Sequence, residues 1–519
     1  PHPGGFAVTG DLSAPGPYTP VLTQASDSYW VTMKVYYPQL DQVDPALLPL
    51  PLVVISHGNG HEYTWYDYLG NHLASHGYVV IAHRNNTGPG PLTAATTTLD
   101  NTDAFLAGLP TIDGGVLDGV VDPHRIVWIG HSRGGEGVVI AYDRLVVGTA
   151  TPANFGVDDV VLVSSIAPTV FEDPRRTVNP HDVDYHLLAG SYDGDVTGSP
   201  SNPDVQYFRI LQNATGLSAV TYLQGADHND FNCCGPNDAN WAANSPGPEI
   251  GRQRAQQAAK SYYLALLEAE LRGQDALWEY FSRAPERFRP DGTTVVVASQ
   301  LERADGDGVT VIDDFQSESD PAVSSSGGTV VATVRGLAEG PLDDGDGQLS
   351  NDLGDPFNGM TQSSRDDNAA RGAVFEWDEG DDGLVLEFAL PAGATDLRGQ
   401  QYLSFRACQQ TRHPNTLANI GDTASFTVAL VDGAGSVAMV DHGVYGGLTV
   451  PFARNGDGTG TGWVNEFQTI RIPIDAFVAD GPLDRSNVTA VRFLFGPSYG
   501  SSVGRIGLDD VELLAPGAP

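Results

Sequence analysis

Apolar positions in the first 300 residues fall into short continuous runs separated by segments with helical spacing. Leu52-Val53-Val54-Ile55-Ser56, Tyr78 to His83, Arg125 to Ile129, Val160 to Ile166, Tyr185 to Gly190 and Ala219 to Leu223 read as strands buried on both faces. Between them, Trp65, Tyr68, Leu69 and Leu73 recur at helical spacing over 63–76, and helices are expected near 100–109, 138–147 and 205–212. Residues 251–273 form an amphipathic helix stopped by Gly273. Tyr29 to Tyr37, closed by Pro38, reads as an early antiparallel strand. Strands alternating with helices predict an α/β domain with a mostly parallel sheet and helices on both faces.

After about residue 305 the pattern changes to short alternating segments separated by Gly, Asp and Pro turns. Strands are expected at 328–335, 372–378, 383–389, 402–409, 424–431, 467–474, 488–495 and 505–514, an all-β sandwich of jelly-roll type. A chain of 519 residues exceeds what one core sustains, roughly 250 to 300 residues. The expected division is the α/β domain over 1–300, a linker over 301–310 containing Asp305-Gly306-Asp307-Gly308, and the sandwich over 311–519.

Charge narrows the partners. The net charge is −38, and Lys34 and Lys260 are the only lysines, so the surface repels phosphate backbones and anionic lipid. Nucleic acid is therefore not expected as a partner. No run of 18 apolar residues occurs, so no membrane span is expected. The three cysteines, Cys233, Cys234 and Cys408, have no zinc-ligand spacing. A vicinal bridge, a bridge to Cys408 and free thiols all remain open. The chain begins at Pro1 without Met, from which a removed signal peptide and secretion are expected.

The chemistry centres on Gly130-His131-Ser132-Arg133-Gly134, set between a strand and a helix. Gly-x-Ser-x-Gly in that setting is the nucleophile elbow of an α/β-hydrolase, with glycines where strand and helix nearly touch. A serine nucleophile needs a base, an acid and an oxyanion site. His228, on the loop after Leu223, is the expected base. Asp193, first off strand 185–190, is the expected acid, with Asp195 the alternative. The order Ser, Asp, His fits this fold. The N–H groups of Arg133 and Asn59 are the expected oxyanion donors, and His131, Tyr63, Trp65 and Thr169 are candidates for the substrate groove. No cofactor is expected for catalysis.

Together, Ser56-His57-Gly58-Asn59-Gly60, Leu73-Ala74-Ser75-His76-Gly77-Tyr78 and the elbow resemble secreted α/β-hydrolases of the PET hydrolase and cutinase, dienelactone hydrolase and platelet-activating-factor acetylhydrolase-like group, over roughly residues 25–270. The resemblance implies a serine carboxylesterase with the triad Ser132, Asp193 and His228. It leaves open polyester, acylated polysaccharide and lipid as substrates. Two departures bear on this: Ser165-Ile166-Ala167-Pro168-Thr169 lacks the acetylhydrolases' early acid, and Thr169 stands where polyesterases carry Trp. Residues 309–515 resemble galactose-binding-like, carbohydrate-binding jelly rolls through Val311-Ile312-Asp313-Asp314-Phe315, Phe467 to Ile474 and Ile506 to Leu513. That resemblance implies a structural Ca²⁺ held by Asp313, Asp314, Asp509 and Asp510, and a carbohydrate or polymer surface as partner, with Trp377, Trp463, Tyr445 and Tyr499 as candidate stacking rings. A different class of function, a binding or adhesion protein on a hydrolase scaffold, would follow if the triad were not assembled.

Overall fold

The structure is a computed structural model. It describes residues 10–173, 176–196, 208–237, 249–286, 289–290, 295–303, 306, 308–317, 320–342, 371–410, 413–419, 423–450, 467–479 and 483–518. The first sheet has nine strands: β1 (Pro20–Ser26), β2 (Thr32–Pro38), β3 (Leu50–Ser56), β4 (Val79–His83), β5 (Val121–His131), β6 (Val160–Ile166), β7 (Asp184–Gly190), β8 (Leu217–Leu223) and β9 (Val297–Arg303). They lie in the order β1-β2-β4-β3-β5-β6-β7-β8-β9. The six strands from β4 to β8 are mutually parallel, while β1, β2 and β9 run antiparallel to their neighbours. Every residue of β3, β4 and β8 is buried, which is why these strands carry apolar runs rather than alternation.

Helices cover both faces: α1 (Asp67–Ser75), α2 (Pro91–Gly108) and α3 (Arg133–Val146), then Arg252–Arg272. Gly273 ends that last helix in the left-handed conformation, φ 63°, as its position predicts. Helix α2 begins nine residues before the sequence suggests, because its first half is Thr-rich. Thr96, Thr97, Thr98 and Thr102 each donate their hydroxyl to the carbonyl four residues back, which satisfies them inside a helix they would otherwise discourage.

The second unit contains, among the described residues, two six-stranded antiparallel sheets. Phe375, Phe405 and Leu508 from one sheet and Phe388, Val428 and Phe493 from the other share one apolar core. Strands Val309–Asp313, Arg335–Pro341, Val437–Asp441 and Val478–Ala479 add to the eight expected. The first sheet reaches Arg303, three residues past the expected boundary, and β9 is where the two units join. Leu301 donates its N–H to Thr469 Oγ1 at 2.9 Å. Beside it the buried Arg406 guanidinium bonds Gln300 at 2.9 Å and Glu302 at 3.1 Å. Gly446 lies so close to the first unit that a Cβ there would stand 1.6 Å from the Pro285 carbonyl oxygen.

Candidate active site

Strand β5 delivers Ser132 at the C-terminal edge of the parallel strands, at φ 56° and ψ −126°. A left-handed non-glycine residue there is strained, and close packing holds it. A Cβ on Gly130 would stand 2.1 Å from the Gly134 carbonyl oxygen, and one on Gly134 would stand 2.4 Å from that of Ser56. Strand, turn and helix therefore meet backbone to backbone. Ser132 N–H donates to Ile166 O at 2.9 Å, fixing the turn to β6.

The expected base and acid arrive from β8 and β7. His228 opens a short 3-10 turn, His228–Phe231, capped reciprocally: Asp227 accepts from Asn229 N–H at 2.6 Å, and Asp230 accepts from Asp227 N–H at 3.1 Å. Burial pushes the Asp230 carboxyl up to about 7. Asp227, Asp230 and Glu249 form the one three-carboxylate grouping among the described residues, and the capping bonds account for the first two. His228 Nδ1 and Asp193 Oδ2 lie 2.8 Å apart, with both side chains 1 % exposed. The other carboxylate oxygen, Oδ1, accepts the N–H groups of Asp195 at 2.9 Å and Val196 at 2.7 Å. Asp195 itself is 63 % exposed, with Oδ2 at 3.6 Å from Nε2 rather than Nδ1. The structure thus brings Asp193, not Asp195, to the nitrogen an orienting acid must hold.

A set of histidines floors the site. The rings of His131 and His228 are 4.8 Å apart, as are those of His61 and His131. Tyr66 hydroxyl bridges His61 Nδ1 at 3.0 Å and His131 Nδ1 at 2.8 Å, so it donates to one and accepts from the other. Burial pushes His131 well below its ordinary range and holds His61 down to about 3. His57 is depressed to about 4, chiefly by burial. Its Nε2 accepts Asn85 N–H at 2.8 Å, which leaves Nδ1 as donor to Gly58 O. These neutral rings pack around His228 without competing with it for a proton.

Arg133 is the first residue of α3, so its N–H has no intrahelical acceptor. Asn59 follows β3 in an exposed turn, and a Cβ on Gly58 would stand 2.8 Å from Ser132 Cβ. Of the two expected oxyanion residues, Arg133 thus follows Ser132 directly and Asn59 follows the glycine packed against it. The groove candidates divide. Trp65 is partly exposed, its ring 5.3 Å from that of His61. His131 is a correction: it is fully buried and supports His228 rather than facing substrate. Tyr63 and Thr169 are also buried, at 8 % and 5 % exposure. Thr169 donates its hydroxyl to Glu136 at 2.6 Å, and Glu136 also accepts Glu172 N–H at 2.7 Å. Glu136 was not anticipated from sequence. Burial raises its carboxyl to about 7, and it anchors the loop that carries Thr169 and the exposed Phe171 to the helix behind the nucleophile. An acid in the first turn of that helix was the available signal.

The calcium expectation does not fit these residues. Asp509 and Asp510 turn onto Arg406 at 2.5 and 2.6 Å, so an arginine supplies the positive charge. Asp313 Oδ1 accepts the N–H groups of Phe315 and Ser325, and Asp314 Oδ1 that of Gln316. The four carboxylates do not converge on one point. Of the expected sugar-stacking rings, Trp377 and Tyr445 are core residues at 0 % and 1 % exposure, Tyr499 is partly exposed in a turn, and Trp463 lies outside the described residues. Cys233 and Cys234 are bridged to each other, and Cys408 is buried in its strand.

No helix among the described residues is long and apolar enough to cross a membrane. The chlorophyllase family model, which describes α/β-hydrolase-like ester hydrolases, matches residues 48–168. That stretch runs from the approach to β3 through the elbow to the end of β6 and stops before Asp193 and His228. No curated protein matches the chain.

Proposed function

We propose, from a chain whose residues 48–168, the elbow included, match an ester-hydrolase family, that this protein is a serine carboxylesterase acting through an acyl-enzyme on Ser132. The observation that carries the proposal is the buried 2.8 Å pair of Asp193 and His228 Nδ1, packed beside the residue that precedes a positive-φ serine. Asp193 holds the imidazole with its proton on Nδ1, leaving Nε2 to take the serine proton as Oγ attacks the ester carbonyl. The N–H groups of Arg133 and Asn59 receive the oxyanion. Collapse expels the alcohol, which takes the proton from His228, and water then repeats the sequence to release the acid.

The second unit is read as a jelly-roll sandwich, with an extended or polymeric ester as substrate. Secretion belongs to the same proposal: an exposed disulfide, Cys233–Cys234, suits an oxidising compartment. Hydrolysis of p-nitrophenyl butyrate and labelling by a fluorophosphonate probe test it. Both are expected in the wild type and absent in Ser132→Ala. Unchanged turnover in that variant refutes the assignment, and a folded wild type that the probe fails to label returns the binding-protein reading.

A further inference from the structure

Two large aromatic side chains stand exposed at the catalytic edge of the sheet. Tyr29 keeps 66 % of its surface and Trp30 keeps 41 %. Both sit at the tip of the β1–β2 hairpin. Because β2 runs antiparallel to β4, with Met33 opposite His83, that tip lies beyond the C-terminal end of β4, the edge that also carries Ser132.

The tip is firmly held. Arg84 N–H donates to Thr32 O at 2.8 Å, Asn101 Nδ2 to Trp30 O at 2.9 Å, and Thr32 Oγ1 to Ser28 O at 2.7 Å. The two rings meet at 84° with centroids 4.8 Å apart. Arg84 lies 4.3 Å from the Tyr29 centroid and 5.7 Å from that of Tyr63. The next residue, Asn85, donates its N–H to His57, which adjoins Gly58 and through it Ser132. Chain neighbours, one hydrogen bond and the close packing of Gly58 therefore connect this aromatic corner to Ser132.

We propose that Tyr29 and Trp30, backed by Arg84, form a surface subsite for an aromatic ring carried by the ester substrate away from its scissile bond. The proposal rests on the esterase reading above and names the substrate class that reading leaves open. Ordered, water-exposed Tyr and Trp rings offer a large apolar contact at little entropic cost. Their perpendicular setting decides between ligands. A planar ring laid on one face presents its edge to the other, the geometry aromatic pairs adopt, whereas successive sugars need platforms facing one way. Arg84 adds a cation over a π-face in a chain of net charge −38.

The test compares ethyl 8-phenyloctanoate with ethyl octanoate, the same ester without the ring, in wild type and in Tyr29→Ala/Trp30→Ala. The expected result is a KM for the phenyl ester raised roughly three- to tenfold, with kcat and the thermal midpoint little changed and ethyl octanoate kinetics unaffected. Equal effects on both esters, or none on either, overturn the proposal. So does a KM rise confined to acetylated xylotriose, which assigns the corner to sugar. Tryptophan fluorescence of Ser132→Ala, with and without Trp30→Ala, reads binding of the phenyl ester without turnover. A quench that depends on Trp30 supports the subsite even if the wild type proves inactive, and its absence overturns the subsite in an active esterase.

Discussion

Replacing Asp193 by Asn tests the site at the atom on which its chemistry turns. Oδ1 is fixed by the N–H groups of Asp195 and Val196, and Oδ2 faces His228 Nδ1. An asparagine has one carbonyl oxygen, and the two backbone donors claim it. Turning the amide over would set its NH₂ against two N–H groups and leave buried donors unmatched, at about 1–3 kcal/mol each. The amide nitrogen therefore faces Nδ1, which must become an acceptor, and the imidazole proton moves to Nε2. That tautomer cannot receive the serine proton. The expected loss is about 10⁴-fold in kcat, equivalent to about 5 kcal/mol of barrier, with KM little changed. Asp195→Asn removes an exposed carboxylate 3.6 Å from Nε2 and is expected to stay within about fivefold of wild type. Initial rates on p-nitrophenyl butyrate decide it. A larger loss in Asp195→Asn, or an Asp193→Asn enzyme keeping a tenth of wild-type kcat, refutes the assignment.

Gly130→Ala places a Cβ 2.1 Å from the Gly134 carbonyl oxygen and is expected to abolish activity and lower the thermal midpoint, while Gly88→Ala, with open space around it, is expected to do neither. Arg406→Leu leaves Asp509 and Asp510 buried without their cation and is expected to cost about 3–5 kcal/mol by urea unfolding. Stability is also expected to fall with acid. His57, at about 4 in the fold against 6.5 unfolded, binds its proton more readily in the unfolded chain, so its contribution is whole above pH 6.5 and is lost as pH falls toward 4. The loss approaches about 1.4 kcal/mol per pH unit inside that window, and His57→Gln should flatten the slope of unfolding free energy against pH.

The parallel strands were legible because strands buried on both faces cannot alternate, and the elbow because its glycines are forced by backbone contact at Gly130 and Gly134. The first half of α2 was not, since a threonine run discourages a helix until its hydroxyls find carbonyls. Glu136 and the ring set of His61, His131 and Tyr66 were hidden for a different reason. Their roles arise from side chains that meet only when β3, β5 and α3 are assembled. The acidic pair Asp509-Asp510 misled because carboxylates alone do not say which cation they serve, and Arg406 lies some hundred residues away in the chain. In the second unit the short strands Val437–Asp441 and Val478–Ala479 carry too few residues for a period to show.

If the proposed esterase works on a polymeric ester, the joint at β9 sets how it meets that substrate. A module on a slack tether lets its catalytic partner sweep many bonds around one point of attachment. Here Leu301 is bonded to Thr469, and Gln300 and Glu302 to Arg406, so the two bodies share one frame. On that proposed reading, a surface bound by the second body would fix the angle at which Ser132 is presented, and reaching the next bond would require the whole molecule to let go and land again.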